Sequence, residues 1–287
     1  MKSEIEVLQP GLFSSIQDVG RFGFLEYGVP HSGAMDKYAA QLANVILQNS
    51  PDCAVIEITQ WGPTLKFHQS AKIVITGAHL SPKINNHPVK NVVVHQMSCG
   101  DVLSFGKRQT GCRAYISVKG GFKTGEVLNS YSWYEGLTPQ YKMAKGDVLF
   151  FEKDSSTAVK TFSAVKYSAE YISKKEIPVY PGPEFYLLPV ERKRALEDTA
   201  FTIDLNNNRM ALQLVELFEN QMKPILTGPV VPGTVQLTPS GKLIVLMRDC
   251  QTTGGYPRVL QVSEKGLDIL AQKIAGDKIS FNLLQEP

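Results

Sequence analysis

Gly100-Asp-Val-Leu-Ser-Phe105, Gly146-Asp-Val-Leu-Phe-Phe151 and Gly276-Asp-Lys-Ile-Ser-Phe281 share the form Gly-Asp-x-aliphatic-x-Phe, and reading that form decides the fold class. Glycine followed by aspartate makes a turn, and the alternation after it makes a strand with one buried face. The three repeats are predicted to be hairpins that close β-barrels, not a ligand site. Working outward, Ala71-Lys-Ile-Val-Ile-Thr76, Asn91-Val-Val-Val-His95, Cys112-Arg-Ala-Tyr-Ile-Ser-Val118 and Lys242-Leu-Ile-Val-Leu-Met247 are short β-branched or apolar runs. Gly, Pro, Asn or Ser bound them, as turns bound strands. The chain reads as mainly β.

A few short helices interrupt the strands. Asp36 is placed to cap a segment whose Ala39, Ala40, Ala43, Ile46 and Leu47 share one face, ended by Asn49-Ser-Pro51. Pro189 to Leu196 is a second helix, with Pro189 suited to the first turn, and Ser263 caps a third that carries Leu267, Leu270 and Ala271. Between Asp154 and Ile177 the chain is rich in Ser, Lys and Ala with little periodicity. The expected organisation is an N-terminal domain over 1–155, a linker or crossover over 156–177, and a C-terminal domain over 178–287.

Composition narrows the function classes. The 287 residues, 43% hydrophobic and 20% charged, fit two globular domains. A scattered net charge of +3 gives no basic face for nucleic acid. The charged start, Met1-Lys-Ser-Glu-Ile-Glu6, has no apolar signal region, and the longest aliphatic runs are strand-sized, so a cytoplasmic protein without membrane spans is expected. Cys53, Cys99, Cys112 and Cys250 show no Cys-x-x-Cys spacing and read as reduced thiols. The histidines show no i, i+4 or His-Glu-x-x-His pattern, and no metal is expected.

Two stretches concentrate the functional chemistry. The first runs from Ser15-Ile-Gln-Asp-Val-Gly-Arg21 to Gly28-Val-Pro-His-Ser-Gly-Ala-Met-Asp36. Asp18 and Arg21 either pair and stiffen the loop, or face a cleft where the Arg21 fork holds a carboxylate or phosphate. Asp36 either caps its helix or, with Ser32, Gly33 and the free N–H groups ahead of that helix, helps form an anion site. The second stretch is Arg248-Asp-Cys-Gln-Thr-Thr-Gly-Gly-Tyr-Pro257. Gln251 offers an amide, Thr252 and Thr253 offer hydroxyls, Gly254 and Gly255 allow close backbone approach, and Tyr256 offers a stacking face with a phenolic donor. Those groups suit a planar polar ring; a glycine-rich hairpin with Tyr256 as a corner residue is the other reading. Neither motif alone fixes a small ligand, so the two are expected to meet across one cleft between the domains. The sequence contains no phosphate-binding P-loop and no Gly-x-Ser-x-Gly elbow.

Gln17-Asp-x-Gly-Arg21, Gly28-Val-Pro-x-Ser-Gly-Ala-Met-Asp36, Ala43-Asn44 with Asn49, and Glu57-x-x-x-x-Gly-Pro63 resemble the N-terminal signature of the allophanate hydrolase subunit 2 family. That family is also called the biotin-dependent carboxyltransferase, KipA or 5-oxoprolinase C-subunit family. Asn208-Arg-Met210, Gly233-Thr-Val-Gln236, Gln251 to Pro257, and Ala271-Gln272 with Gly276-Asp277 follow in the family's order, so the resemblance runs nearly end to end. It implies two cyclophilin-like β-barrel domains. Two departures stand out. Asn129-Ser-Tyr-Ser-Trp133 replaces a Gly-Ser-Arg-Ser-Thr type segment, and Ala211 follows Met210 where glycine is common.

The resemblance also implies a function. The chain is expected to be the C subunit of an ATP-dependent 5-oxoprolinase, inactive alone, working with a KipI-like B subunit and a separate A subunit on a small lactam or amide. ATP is expected at the level of the complex, held largely by a partner. Asp18 and Asp36 are the expected catalytic carboxylates; Arg21, Ser32, Gly33, Gln251, Thr252, Thr253, Gly254, Gly255 and Tyr256 are the expected substrate-binding residues. The alternatives are a biotin-dependent carboxyltransferase acting on urea or a related amide, and a KipA-like protein that binds a kinase inhibitor.

Overall fold

The computed structural model of the chain describes residues 3–152 and 167–284. The chain divides into two compact units, one formed by Met1–Arg21 with Asp36–Ile172 and the other by Phe22–Met35 with Ser173–Pro287. The segment between Arg21 and Asp36 thus belongs with the C-terminal half. The first part of the expected linker, residues 156–166, lies outside the described residues.

In the first unit, strands β1 (Ser3–Gln9), β4 (Thr64–Phe67), β6 (Lys83–Ile84), β7 (His87–Pro88), β9 (Val102–Ser104) and β11 (Val148–Phe151) form one sheet in the order β11-β1-β4-β9-β6-β7. Strands β2 (Phe13–Gln17), β3 (Val55–Thr59), β5 (Ala71–His79), β8 (His95–Met97) and β10 (Thr110–Val118) form a second, ordered β2-β3-β10-β5-β8. One apolar cluster draws on both sheets, with Val7, Leu65 and Phe67 from the first and Ile16, Ile56, Ile75 and Ile116 from the second. Burial of those β-branched and aromatic side chains is the main force holding the unit together.

Helix α1 (Lys37–Ile46) begins where Asp36 accepts a hydrogen bond from the Ala39 N–H at 2.9 Å. Its Ala39, Ala40, Leu42 and Ala43 face is buried, and Ala43 and Leu47 pack on Val74 of β5. The short α2 (Glu170–Ser173) spans the chain boundary, with residues up to Ile172 in this unit and Ser173 in the other.

The second unit is a closed barrel of β12 (Glu176–Pro181), β13 (Phe201–Asn207), β14 (Ala211–Leu217), β16 (Thr234–Leu237), β17 (Lys242–Leu246), β19 (Arg258–Val262) and β20 (Lys278–Leu283), in the order β12-β19-β16-β17-β14-β13-β20. A separate ribbon pairs β15 (Gly228–Pro229) with β18 (Thr253–Gly254). Helix α3 (Val190–Asp198) starts after Pro189, which is the N-cap and not the first helical residue. Helix α4 (Glu264–Ala271) is capped by the Ser263 hydroxyl, which accepts from the Gly266 N–H at 3.1 Å.

The Gly-Asp repeats build one turn three times. Asp101, Asp147 and Asp277 each accept a backbone N–H from three residues back, at Ser98, Ala144 and Ile274, over 2.7–2.9 Å. The preceding glycines lie at φ of +92°, +88° and +88°, a region that a side chain strains. Each glycine N–H donates to a neighbouring strand, at Phe67, Val7 and Ile203, and the same residue's N–H returns a bond to the Asp carbonyl. The third repeat closes the barrel, because β20 pairs with β12 on one side and β13 on the other.

One expected strand is a turn. Asn91 to Val94 is not extended: Val92 has φ +63°, its N–H donates to the Ile75 carbonyl, and the Asn91 amide donates to Ala78 O. Pairing begins only at His95, because the edge of β5 captures the preceding backbone first.

Candidate functional site

The first motif splits between the two units. In the N-terminal unit the Asp18 carboxylate accepts from the hydroxyls of Ser130 (2.7 Å) and Ser132 (2.5 Å) and from the N–H groups of Tyr131 (2.6 Å) and Gly20 (2.8 Å). Four donors fix its position. Arg21, at 1% exposure, donates from Nε to the Val127 carbonyl at 3.2 Å and from Nη2 to the Ser132 carbonyl. Asp18 and Arg21 therefore grip the same segment, 127–132. Within it, Leu128 and Asn129 both have positive φ, and Val127 and Ser130 exchange backbone hydrogen bonds, the geometry of a tight two-residue hairpin. This is the segment that departs from the family pattern. The Lys123 ammonium lies 6.0 Å from the Tyr131 ring centroid.

Asp36 is buried in a polar network. Besides capping α1 it accepts from the Tyr171 hydroxyl at 2.7 Å, while its own N–H donates to the Tyr115 hydroxyl at 2.8 Å. Tyr115 in turn donates to Glu57 at 2.8 Å, and Arg113 lies 3.8 Å from that carboxylate. Burial, reinforced by the charges of Glu57 and Asp36, raises the Tyr115 phenol well above its ordinary value. The neighbouring Tyr167 is pushed up to about 12 by burial, then by Asp36 and Tyr38. Both phenols stay protonated, and Tyr115 keeps its proton for the hydrogen bond to Glu57.

The C-terminal unit brings Ser32 and Gly33 of the first motif onto the second. The Ser32 N–H donates to the Arg248 carbonyl at 3.0 Å, with Ser32 held at φ +56°. Arg209 donates to the Gly33 carbonyl at 2.7 Å and grips Asp249 through Nε at 2.7 Å and Nη2 at 3.1 Å. Arg248 reaches Glu264 at the start of α4 with Nη1 at 3.2 Å and Nη2 at 2.9 Å. Arg209, Arg248, Asp249 and Glu264 were not among the expected site residues. The first three lie inside the motifs, but nothing in a single sequence tells that Arg209 selects Asp249, 40 positions away.

Residues 252–255 lie along the strand-like segment 225–230. Thr253 and Gly254 pair with Pro229 and Gly228, the Val230 N–H donates to Thr252 O at 3.0 Å, and the Ile225 N–H donates to Gly255 O at 3.1 Å. The backbone is thus a glycine-rich ribbon, while Gln251, Thr253 and Tyr256 present their side chains to solvent. Among the described residues, the Gln251, Thr252, Thr253 and Tyr256 side chains make no hydrogen bond, so their polar groups are available to a ligand. A Cβ on Gly254 would lie 2.4 Å from the Gln236 amide nitrogen, whereas one on Gly255 would meet only the Ile225 carbonyl at 3.6 Å. Only Gly255 leaves room for approach. A cavity of about 460 Å³ adjoins the ribbon through Ile225 and is lined by Leu187, Pro189, Arg192, Met222 and Lys223. Cys250 is buried with Val230 and Leu246, and Ala211 packs against them. Burial, with the Asp249 charge, pushes its thiol up to about 12, which removes it as a nucleophile.

Comparison with known proteins gives the class of this fold, a carboxyltransferase-type domain. The sequence model of the "Carboxyltransferase domain, subdomain A and B" family matches residues 27–283, and the chain belongs to that family. It is similar to the 5-oxoprolinase C subunit of Haemophilus influenzae, 32% identical over 96% of this chain and 90% of that protein, and to that of Escherichia coli, 29% identical with the same coverages. It is also 38% identical to the urea amidolyase of Saccharomyces cerevisiae over 96% of this chain, but over only 16% of that protein. Among solved structures, TTHA0988 superposes with a TM-score of 0.87 at 26% identity, covering 98% of this chain and 55% of the other. The Kluyveromyces lactis urea carboxylase gives 0.86 at 27% identity, covering 99% of this chain. The chain therefore spans about half of the first structure and 28% of the second. No described helix is long and apolar enough to cross a membrane.

Proposed function

We propose that this chain is the C subunit of an ATP-dependent 5-oxoprolinase, supplying part of the lactam site to a complex with a KipI-like B subunit and a separate A subunit in the cytoplasm. The observation that carries this reading is extent. The alignment with two bacterial 5-oxoprolinase C subunits covers 96% of this chain and 90% of theirs, whereas the urea amidolyase match covers 16% of a much larger protein.

The chemistry of the second motif suits the substrate. A five-membered lactam presents one N–H donor and one carbonyl acceptor in a plane. The Gln251 amide offers the complementary acceptor and donor, Thr252 and Thr253 add hydroxyls, Gly254 and Gly255 keep the ribbon thin, and Tyr256 offers a ring face. Asp18, Arg21 and Asp36, buried and hydrogen-bonded to backbone, position the loops that carry the first motif; Ser32 and Gly33 are fixed on Arg248 and Arg209. The sequence carries no P-loop, so the nucleotide is assigned to a partner in the complex.

The test is reconstitution. The purified chain, mixed with the A and B subunits, should restore 5-oxoproline-dependent ATP hydrolysis with release of glutamate, and should show neither activity alone. Turnover that instead requires a carboxylated biotin carrier and urea would replace this reading with the carboxyltransferase one.

A further inference from the structure

At the far end of β2 and β3 from Asp18, roughly 17 Å along a five-residue strand, the N-terminal unit carries a cavity of about 430 Å³ that the proposed chemistry does not use. Its walls include Leu12, Trp61 and Phe105, and its rim carries Lys107 and Arg108. Trp61 is 68% exposed and Leu12 64%, a large apolar surface for two adjacent side chains.

Backbone hydrogen bonds frame them. The Leu12 N–H donates to the Trp61 carbonyl at 3.0 Å, and the Gln60 N–H donates to Cys112 O at 2.8 Å. Gln60 is held at φ +56°, which turns the chain and aims Trp61 outward. Gly62 lets the Phe105 ring close against its backbone, since a Cβ there would lie 2.3 Å from the ring. Arg108 is braced by donating from Nη1 to Gly111 O at 3.1 Å. None of the residues lining the cavity is acidic, and among the described residues neither Lys107 nor Arg108 pairs with a carboxylate. The result is a preformed apolar hollow bordered by two cations without counter-charges.

We propose that this face docks an acidic segment of another polypeptide, which seats an aromatic or aliphatic anchor against Trp61, Leu12 and Phe105 while its carboxylates pair with Lys107 and Arg108. Charge complementarity selects an acidic partner over a second copy of this chain, whose own hollow is cationic. A buried aromatic anchor inside a charged rim is the usual composition of an energetic centre in an interface. The inference is independent of the substrate reading, since it uses none of the residues assigned to the lactam.

A library of random twelve-residue peptides displayed on phage and selected on the immobilised full chain tests it without any activity assay. The expected result is enrichment of sequences that combine Asp or Glu with Phe, Trp, Leu or Ile. The synthetic form of the top sequence should shift tryptophan emission to the blue and bind at least ten-fold more weakly to Trp61→Ala and to the Lys107→Glu/Arg108→Glu double variant. Unchanged melting temperatures would show that these substitutions leave the fold intact. No enrichment, enrichment without acidic residues, or equal binding by the variants overturns the proposal. Concentration-dependent self-association of the wild type that Trp61→Ala abolishes would also overturn it, in favour of a homodimer.

Discussion

Arg209 donates to the carbonyl oxygen of Gly33 at 2.7 Å, joining residues 176 positions apart in the sequence. The same guanidinium holds Asp249, so one side chain sets the second motif against the glycine turn of the first. Removing it leaves a largely buried carboxylate without its partner and a carbonyl without its donor. For Arg209→Met the expected loss is about 3 kcal/mol, the low end for breaking a buried pair, read by urea denaturation of the C-terminal signal. Arg209→Lys keeps the charge but not the planar fork, and should fall between the variant and wild type. A loss below about 0.5 kcal/mol for Arg209→Met, the range of ordinary surface changes, would show that the pair contributes nothing.

Much of the architecture was legible because it is local. β-Branched and apolar runs marked β10 and β17, Asp36 and Ser263 marked helix starts, and Gly-Asp marked three equivalent turns. What failed to show was non-local. Three consecutive valines read as a strand, yet the Val92 N–H is taken by Ile75 and the backbone turns. Asp18 and Arg21, three apart, suggested a pair or an anion site; that both hold segment 127–132, more than 100 positions away, was not legible. The residues with side chains free for a ligand, Gln251, Thr252, Thr253 and Tyr256, were legible as chemistry; the Arg209–Asp249 brace behind them was not.

Thr252→Val and Tyr256→Phe test the ribbon as a binding surface. Each removes one hydroxyl at nearly constant volume, and neither hydroxyl has a partner among the described residues. If a buried ligand group pairs with them, turnover of the reconstituted complex should fall roughly five- to hundred-fold, the cost of about 1–3 kcal/mol for an unpaired partner. Melting temperature should stay unchanged, because Tyr256 is 39% exposed in the free chain. Lower stability with unchanged turnover would make the ribbon a structural hairpin and nothing more.

Thiol reactivity should sort the four cysteines. Cys99 is exposed, whereas Cys112 and Cys250 are buried and their thiols are raised by burial, Cys250 to about 12. The thiolate is the reacting species, so a raised value means a smaller reactive fraction. At pH 8 iodoacetamide should modify Cys99 first and Cys53 more slowly, with Cys112 and Cys250 labelled only after denaturation. Mass spectrometry of the native protein showing early alkylation of Cys250 would contradict its packing against Val230 and Leu246.

Glu184 gives the barrel a defined response to acid. Its carboxylate accepts from the Arg258 side chain at 3.0 and 2.8 Å and from the Arg258 N–H at 2.8 Å, while Arg258 Nη1 donates to Pro229 O at 3.0 Å. These bonds tie the turn after β12 to β19 and to the β15 ribbon that carries the second motif. The Arg258 hydrogen bonds hold the Glu184 carboxyl below its ordinary value of 4.5, so the folded protein binds this proton more weakly than the unfolded chain. The stabilisation is therefore complete above the unfolded value and is lost as pH falls through the depressed folded one. Glu184→Gln should lower stability at pH 7 and flatten the decline below pH 4.5, so that the two proteins converge in acid. Parallel curves for variant and wild type, measured by urea denaturation from pH 7 to pH 3, would assign the acid response to other carboxylates and remove Glu184 as the tie.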